Sequence, residues 1–182
     1  MTYSLTGSAA EFYESTFVPA LFGPWADHLA AVVSPGDRVL DVGCGTGATT
    51  RIAARLASRG HAVGVDISAP LLRTAQKLTA AEKVPNASYR VADAQVHPFP
   101  PCGYDVIVSR GGVLSFADPA ATFRNLARAL MPGGRLVWVS SRFGPDRIRA
   151  ALDGWENVEV GLRDGIRLVT ADRPRRIPAD AD

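Results

Sequence analysis

Val39-Leu40-Asp41-Val42-Gly43-Cys44-Gly45-Thr46-Gly47 decides how this chain is read. Arg38 to Val42 reads as a strand, an apolar run broken by one aspartate. Three glycines at alternate positions follow, and from about Ala48 to Arg59 the apolar residues recur at helical spacing. Glycine in such a turn allows tight backbone geometry and lets a ligand come against the main chain. The helix N-terminus behind it favours an anionic group. Strand, glycine turn and helix together open a nucleotide-binding α/β unit. The spacing is G-x-G-x-G, whereas the dinucleotide fingerprint is G-x-G-x-x-G. Taken alone, the loop leaves a nicotinamide dinucleotide and other nucleotide-like ligands both open.

Working outward, strand-like runs alternate with helix-period segments, which argues for a parallel sheet covered by helices. The first helix closes near Gly60, a candidate C-cap. A second strand spans Ala62 to Asp66. Ser68 is placed to cap the next helix, with Pro70 in its first turn, and Leu71, Leu72, Ala75 and Leu78 share one face. A short third strand covers Ser88 to Val91 and a fourth Tyr104 to Ser109. Asp118-Pro119 opens a helix with Phe123, Leu126, Ala127 and Leu130 on one side, and Pro132-Gly133-Gly134 stops it. A fifth strand runs from Arg135 to Val139, and a short helix from Pro145 to Leu152. Val158 to Val169 reads as a hairpin turning at Arg163-Asp164-Gly165. The whole of residues 1–182 reads as one domain: a helical cover over 8–33, a ligand-binding core over 38–140 and a terminal hairpin over 158–170. Phe12, Phe17, Leu21, Phe22 and Trp25 make the cover apolar enough to dock, as core cover or as a roof on the ligand site.

Two further carboxylates refine the ligand. Asp66 ends the second strand, where it can accept hydrogen bonds from both hydroxyls of a ribose. The plainer reading is an aspartate that caps a helix. Asp93 follows the third strand in Arg90-Val91-Ala92-Asp93-Ala94, where it can accept the exocyclic amine of adenine. The Ala94 backbone and the Ile67 side chain would flank that ring. The plainer reading of Asp93 is a hydrated loop carboxylate.

Asp41-Val42-Gly43-Cys44-Gly45-Thr46-Gly47, Val65-Asp66-Ile67-Ser68, Ala92-Asp93-Ala94, Tyr104 to Ser109 and Leu130-Met131-Pro132-Gly133-Gly134-Arg135-Leu136 occur in this order. The ordered set resembles the motifs of class I S-adenosylmethionine-dependent methyltransferases. The nearest likeness is the methyltransferase type 11 group, similar to ubiquinone and menaquinone biosynthesis methyltransferases. Ser109 to Pro119 also looks like that group. The resemblance covers roughly Phe12 to Ser140 and implies a Rossmann-like three-layer sandwich. Its mostly parallel seven-stranded sheet would have the order 3-2-1-4-5-7-6, with an antiparallel C-terminal hairpin. It further implies S-adenosylmethionine as cofactor and S-adenosylhomocysteine as product. Gly43, Gly45 and Gly47 would lie against the methionine part, and Asp41 would help hold its ammonium. Asp66 would bind the ribose, and Asp93 with Ala94 the adenine. Ser109 would sit near the methionine end.

Composition narrows the setting. The 182 residues are 47% hydrophobic and 21% charged, which is the balance of a folded domain. A net charge of +2 with scattered basic residues excludes a nucleic-acid stripe, and Arg173, Arg175 and Arg176 read as a solvated tail. Cys44 and Cys102 form neither a metal spacing nor a disulfide framework. No apolar stretch approaches the roughly 20 residues of a membrane span, and Met1 to Ala10 lacks the pattern of a signal peptide. The expectation is a cytoplasmic protein with a small-molecule substrate, no nucleic-acid partner, no membrane span and no metal.

A sulfonium cofactor carries its own electrophile, so the protein must chiefly align a nucleophile and exclude water. A general base is needed only for a protonated nucleophile. The candidates for catalysis are His97 after the adenine loop, Tyr13 on the N-terminal segment, and Arg110 for an anionic substrate group. His28 and His61 read as structural. Cys44 reads as a small side chain beneath the cofactor and lacks a histidine partner in sequence.

The chain departs from the resembled group in two places. Only Ser141 to Asn157 separates the fifth strand from the hairpin, where such proteins often carry a long lid. Gly111-Gly112 stands where a bulkier residue is expected. The N-terminal helices could then supply the lid, a homodimer could cover the open pocket, or the protein could bind cofactor without turnover. A non-catalytic binding protein and a nicotinamide-dependent oxidoreductase are the competing readings.

Overall fold

The structure, a computed structural model, describes residues 27–110, 116–140, 144–163 and 166–174. Among the described residues these elements follow one another: β1 (Arg38–Val42), α1 (Ala48–Leu56), β2 (His61–Asp66), α2 (Ala69–Ala81), β3 (Ala87–Val91), β4 (Tyr104–Arg110), α3 (Pro119–Ala129), β5 (Leu130–Ser140), α4 (Pro145–Ala151), β6 (Glu156–Arg163) and β7 (Ile166–Asp172). The strands form one sheet in the order β3-β2-β1-β4-β5-β7-β6. Neighbours are parallel from β3 through β5, and β7 runs antiparallel to both β5 and β6. This is the α/β order and hairpin placement that the resemblance implies. The order reverses direction between β1 and β4. Their carboxyl ends therefore frame the crevice where ligands bind in open α/β sheets.

Period-two alternation builds a core on each face of the sheet. Val39, Val106, Val108 and Val137 pack with Ala48, Ala53 and Ala54 of α1 and with Leu29 and Val33. Leu40, Ile107, Leu136 and Trp138 face the other way, onto Phe123 and Leu126 of α3 and Ile148 of α4. The Phe123 ring lies 5.8 Å from that of Trp138 and 6.0 Å from that of Trp155. Leu29 is fully buried, so the described end of the expected N-terminal cover docks on the α1 face. The rest of that cover, with Tyr13, lies outside the described residues, as do Gly111-Gly112.

Several boundaries differ from the sequence expectation. α1 ends at Leu56, and its cap is Ala57. Gly60 is not a left-handed C-cap: a Cβ there would strike the Asp37 carbonyl, because Arg59 and His61 donate to the carbonyls of Pro35 and Asp37. Ser68 makes no side-chain cap; the Asp66 carboxylate takes the Ser68 N–H instead, at 2.8 Å. Asp118 does cap α3, accepting from the Ala121 N–H at 2.9 Å. The helix stops at Ala129, and Leu130 already pairs with Tyr104. Met131 to Gly134 then bulge out before Arg135 pairs with Val106. Proline has no N–H to donate and drives Met131 to extended geometry. Gly133 supplies φ 78°, and Gly134 leaves no space for a Cβ, which would stand 2.8 Å from the Met131 carbonyl. The hairpin is longer than expected, with Arg163 opposite Ile166, and residues 164–165 lie outside the described residues.

Candidate cofactor site

The glycine turn after β1 is built around left-handed backbone. Gly43, Gly45 and Gly47 have φ of 69°, 55° and 79°. Side-chain-bearing residues rarely adopt this conformation, so the alternate glycines are a steric requirement. The N–H groups of Gly43 and Cys44 both donate to the Val65 carbonyl, at 2.9 and 3.0 Å. Asp66 completes the clamp. Its Oδ2 accepts from the Gly45 N–H at 2.9 Å while Oδ1 accepts from Ser68. One carboxylate thus holds the glycine turn and the start of α2 together. Ionised acceptors of backbone N–H groups are the stronger kind of hydrogen bond.

Beneath the turn lies Asp41, which is 1% exposed. The Thr50 hydroxyl donates to its Oδ2 at 2.6 Å. Burial pushes the Asp41 carboxyl up to about 7, against smaller opposing effects of the Thr50 hydrogen bond and the Arg110 charge. A cation placed beside it would restore ionisation.

Cys44 is buried, and its thiol is pushed up by burial and by the Asp41 and Asp66 charges. Its sulfur packs so closely that a Cβ added at Gly64 would come within 2.8 Å of it. A thiol held this far from ionisation is a poor nucleophile.

The turn's outer side is open. A Cβ built at Gly45 would meet nothing within 4 Å. Around the rim, Ile67 is 59% exposed, Val91 56% and Val96 78%. Val91 is paired with Asp66, so these apolar side chains border the carboxylates that end β2 and follow β3. Asp93 begins the loop after β3. Its carboxylate accepts from the Gln95 N–H at 2.9 Å and from the Gln95 amide at 3.1 and 3.2 Å, and Ala94 is buried beside it. Three carboxylates on or just after successive strands, an open glycine turn and an apolar rim suit a nucleoside that also carries an ammonium.

The remaining candidates lie differently. Ser109 is fully buried and donates its proton to the Val42 carbonyl at 2.7 Å, pinning β4 to β1. Arg110 ends β4, close enough for its charge to act on Asp41. The His97 ring stacks edge-on against Phe99 at 4.8 Å, and its backbone N–H donates to Asp93. His61 pairs with Ser88 at 2.7 Å, a structural contact. Among the described residues, no three metal-ligating side chains cluster, and no helix is long and apolar enough to cross a membrane.

Sequence reasoning missed two supports of the turn. A Cβ at Gly47 would land on the Tyr89 ring, whose hydroxyl shares a 2.6 Å hydrogen bond with Thr79. The signal was in the register, because Tyr89 lies opposite the small Gly64 on β2. Arg51 is buried on α1, donates to the Thr46 carbonyl at 2.8 Å and pairs with Glu82 at 2.8 Å. Nothing in helical spacing marks an arginine for such a role.

A family model described as a methyltransferase domain matches residues 39–134, from β1 to the bulge in β5. A malonyl-[acyl-carrier protein] O-methyltransferase from Brevibacillus brevis is 35% identical over 159 residues, 80% of this chain and 56% of that protein. A ubiquinone/menaquinone biosynthesis C-methyltransferase from Shewanella frigidimarina is 35% identical over 117 residues, 62% of this chain and 47% of its own. The chain thus spans about half the length of these curated relatives. A solved methyltransferase from Aquifex aeolicus, described as SAM-dependent, superposes with a TM-score of 0.78 at 18% identity, covering 93% of this chain and all of its own. At that identity the likeness speaks for the fold alone. The chain belongs to the methyltransferase domain family and has the class I fold whose cofactor is S-adenosylmethionine.

Proposed function

We propose that this protein transfers the methyl group of S-adenosylmethionine to a small-molecule acceptor. The observation that carries the reading is the arrangement of Asp41, Asp66 and Asp93. They lie on β1, at the end of β2 and just after β3, around a glycine turn that is open at Gly45. In this reading Gly43, Gly45 and Gly47 lie against the methionine part, and Asp41 faces the ammonium. Asp66 takes the ribose hydroxyls with the lone pairs that Gly45 and Ser68 leave open. Asp93 and Ala94 take the adenine edge, with Ile67 against the ring. Cys44 packs under the turn, and Ser109 holds β4 beside the methionine end.

When bound, the cofactor supplies a methyl group on a sulfonium, an electrophile that needs no further activation. What this chain supplies is orientation and exclusion of water, which together are worth several kcal/mol. The His97 ring packs edge-on against Phe99, a contact that favours a structural role for it. Arg110 is the better candidate for an acceptor-side role, as a charge that attracts an anionic substrate group. Relatives named for malonyl-[acyl-carrier protein] and for ubiquinone/menaquinone biosynthesis support acceptors of varied chemistry. We place the reaction in the cytoplasm, consistent with two cysteines that are both free.

Calorimetry with S-adenosylmethionine, S-adenosylhomocysteine and NAD tests the cofactor. Micromolar binding of the first two, and its loss in Asp66→Ala, is expected. Failure of both to bind would overturn the reading, and equal binding by the variant would overturn the role of Asp66. Methyl transfer to members of a metabolite library then identifies the acceptor.

A further inference from the structure

The loop after β3 is braced both from within and by α3. Within it, the N–H groups of Val96 and His97 both close on the Asp93 carbonyl, at 3.2 and 2.8 Å. The carbonyls of Ala94 and His97 are met by one side chain from outside the loop. The Asn125 amide nitrogen on α3 donates to the Ala94 carbonyl at 2.9 Å and to the His97 carbonyl at 3.0 Å. Both of its protons are therefore spent on one loop, across about 30 residues of sequence. A second tie lies at the start of the same helix. Gln95 donates to Asp93 and accepts the Asp118 N–H at 3.1 Å. α3 thus grips the loop at its N-cap and again two turns later, and Phe123 and Leu126 anchor α3 itself in the core.

We propose that Asn125 is a positioning residue for adenine recognition: it fixes the Ala94 peptide so that Asp93 and the Ala94 backbone are presented together to the base. The inference rests on the adenine assignment made above. Its physical basis is that two hydrogen bonds from a planar amide set both the height and the rotation of the loop. A merely anchoring contact would set only its height. Without the clamp the loop samples several orientations, and recognition of the 6-amino group is lost ahead of overall affinity.

The test compares S-adenosylhomocysteine with S-inosylhomocysteine, in which the 6-amino group is replaced by an oxo group. Wild type should bind the adenosyl compound more tightly. Asn125→Asp is isosteric, but it loses both donors and turns an acceptor onto two carbonyls. It should lower that preference about tenfold, the equivalent of one or two hydrogen bonds. Asn125→Ser, a milder change that serves if the first variant does not fold, should lower it in part. Both should raise amide exchange at Val96 and His97. Ile148→Val in the core controls for stability alone and should leave the preference intact. An unchanged preference in both Asn125 variants overturns the proposal while leaving the adenine site standing. A wild type that binds neither compound, or does not discriminate between them, removes the adenine assignment and the proposal with it.

Discussion

Replacing Asp41 by asparagine isolates the energetic cost of a buried carboxylate under the glycine turn. The carboxyl is held near 7 in the folded chain, against an ordinary 3.8, chiefly by desolvation. The sign follows from where the protons sit. Between about pH 4 and pH 7 the folded state keeps a proton that the unfolded state has lost, so stability falls as pH rises through that window. The gap between 3.8 and about 7 corresponds to about 4 kcal/mol in full. Roughly 2 to 3 kcal/mol of it falls between pH 5 and pH 8. The asparagine of Asp41→Asn would keep an acceptor for the Thr50 hydroxyl and carry no charge. Urea unfolding of wild type and Asp41→Asn at pH 5, 6, 7 and 8 measures the effect, and the difference between the two proteins cancels other titrating groups. The variant should gain on wild type steadily as pH rises, by about that amount. Curves that run parallel across the range would show that Asp41 ionises as freely as in water, and the argument from its burial would be wrong.

The same carboxylate makes cofactor binding depend on pH in the opposite sense. A bound ammonium favours the ionised form, so S-adenosylhomocysteine should bind more tightly as pH rises through about 7, with proton release seen by calorimetry in buffers of different ionisation heat; pH-independent binding would contradict this. Gly134→Ala should cost about 1 to 3 kcal/mol in thermal unfolding, because the new methyl meets the Met131 and Asp105 carbonyls. Gly133→Ala meets no atom and should cost only the left-handed strain, about 1 kcal/mol. Ellman's reagent should label Cys102, which is exposed, within minutes and Cys44 only on unfolding. Rapid labelling of both would refute the packing of Cys44 under the turn.

Local chemistry made much of this protein legible. Alternate glycines are demanded by three left-handed φ values, and such a demand shows directly in composition. The apolar runs of β1 and β4, each broken by one aspartate, are otherwise nearly unbroken because both sheet faces are covered, so they stand out without knowledge of the partners. The Asp118-Pro119 start of α3 is equally local, a cap and a proline within one turn. Boundaries set by distant backbone were not legible. Gly60 looked like a helix cap, yet it is small because the Asp37 carbonyl lies against it. Ser68 looked like a cap, yet its hydroxyl makes no capping bond, and the Asp66 carboxylate two residues before holds the Ser68 N–H instead.

The candidate site divides in the same way. Strand position alone suggested Asp66 and Asp93 as ligand carboxylates, each beside a plainer reading, and Asp41 joined them only through the family resemblance. What each carboxylate does in the fold was decided by tertiary contacts. Asp66 holds the Gly45 N–H, Asp41 is desolvated between β1 and Thr50, and Ser109 spends its proton on Val42. Tyr89, Arg51 and Asn125 entered only with the structure, because Gly47, Glu82 and the Ala94 and His97 carbonyls, which they respectively meet, lie about 30 to 40 residues away in sequence. Periodicity reports which face a residue takes, and it carries no information about which distant carbonyl that face will meet.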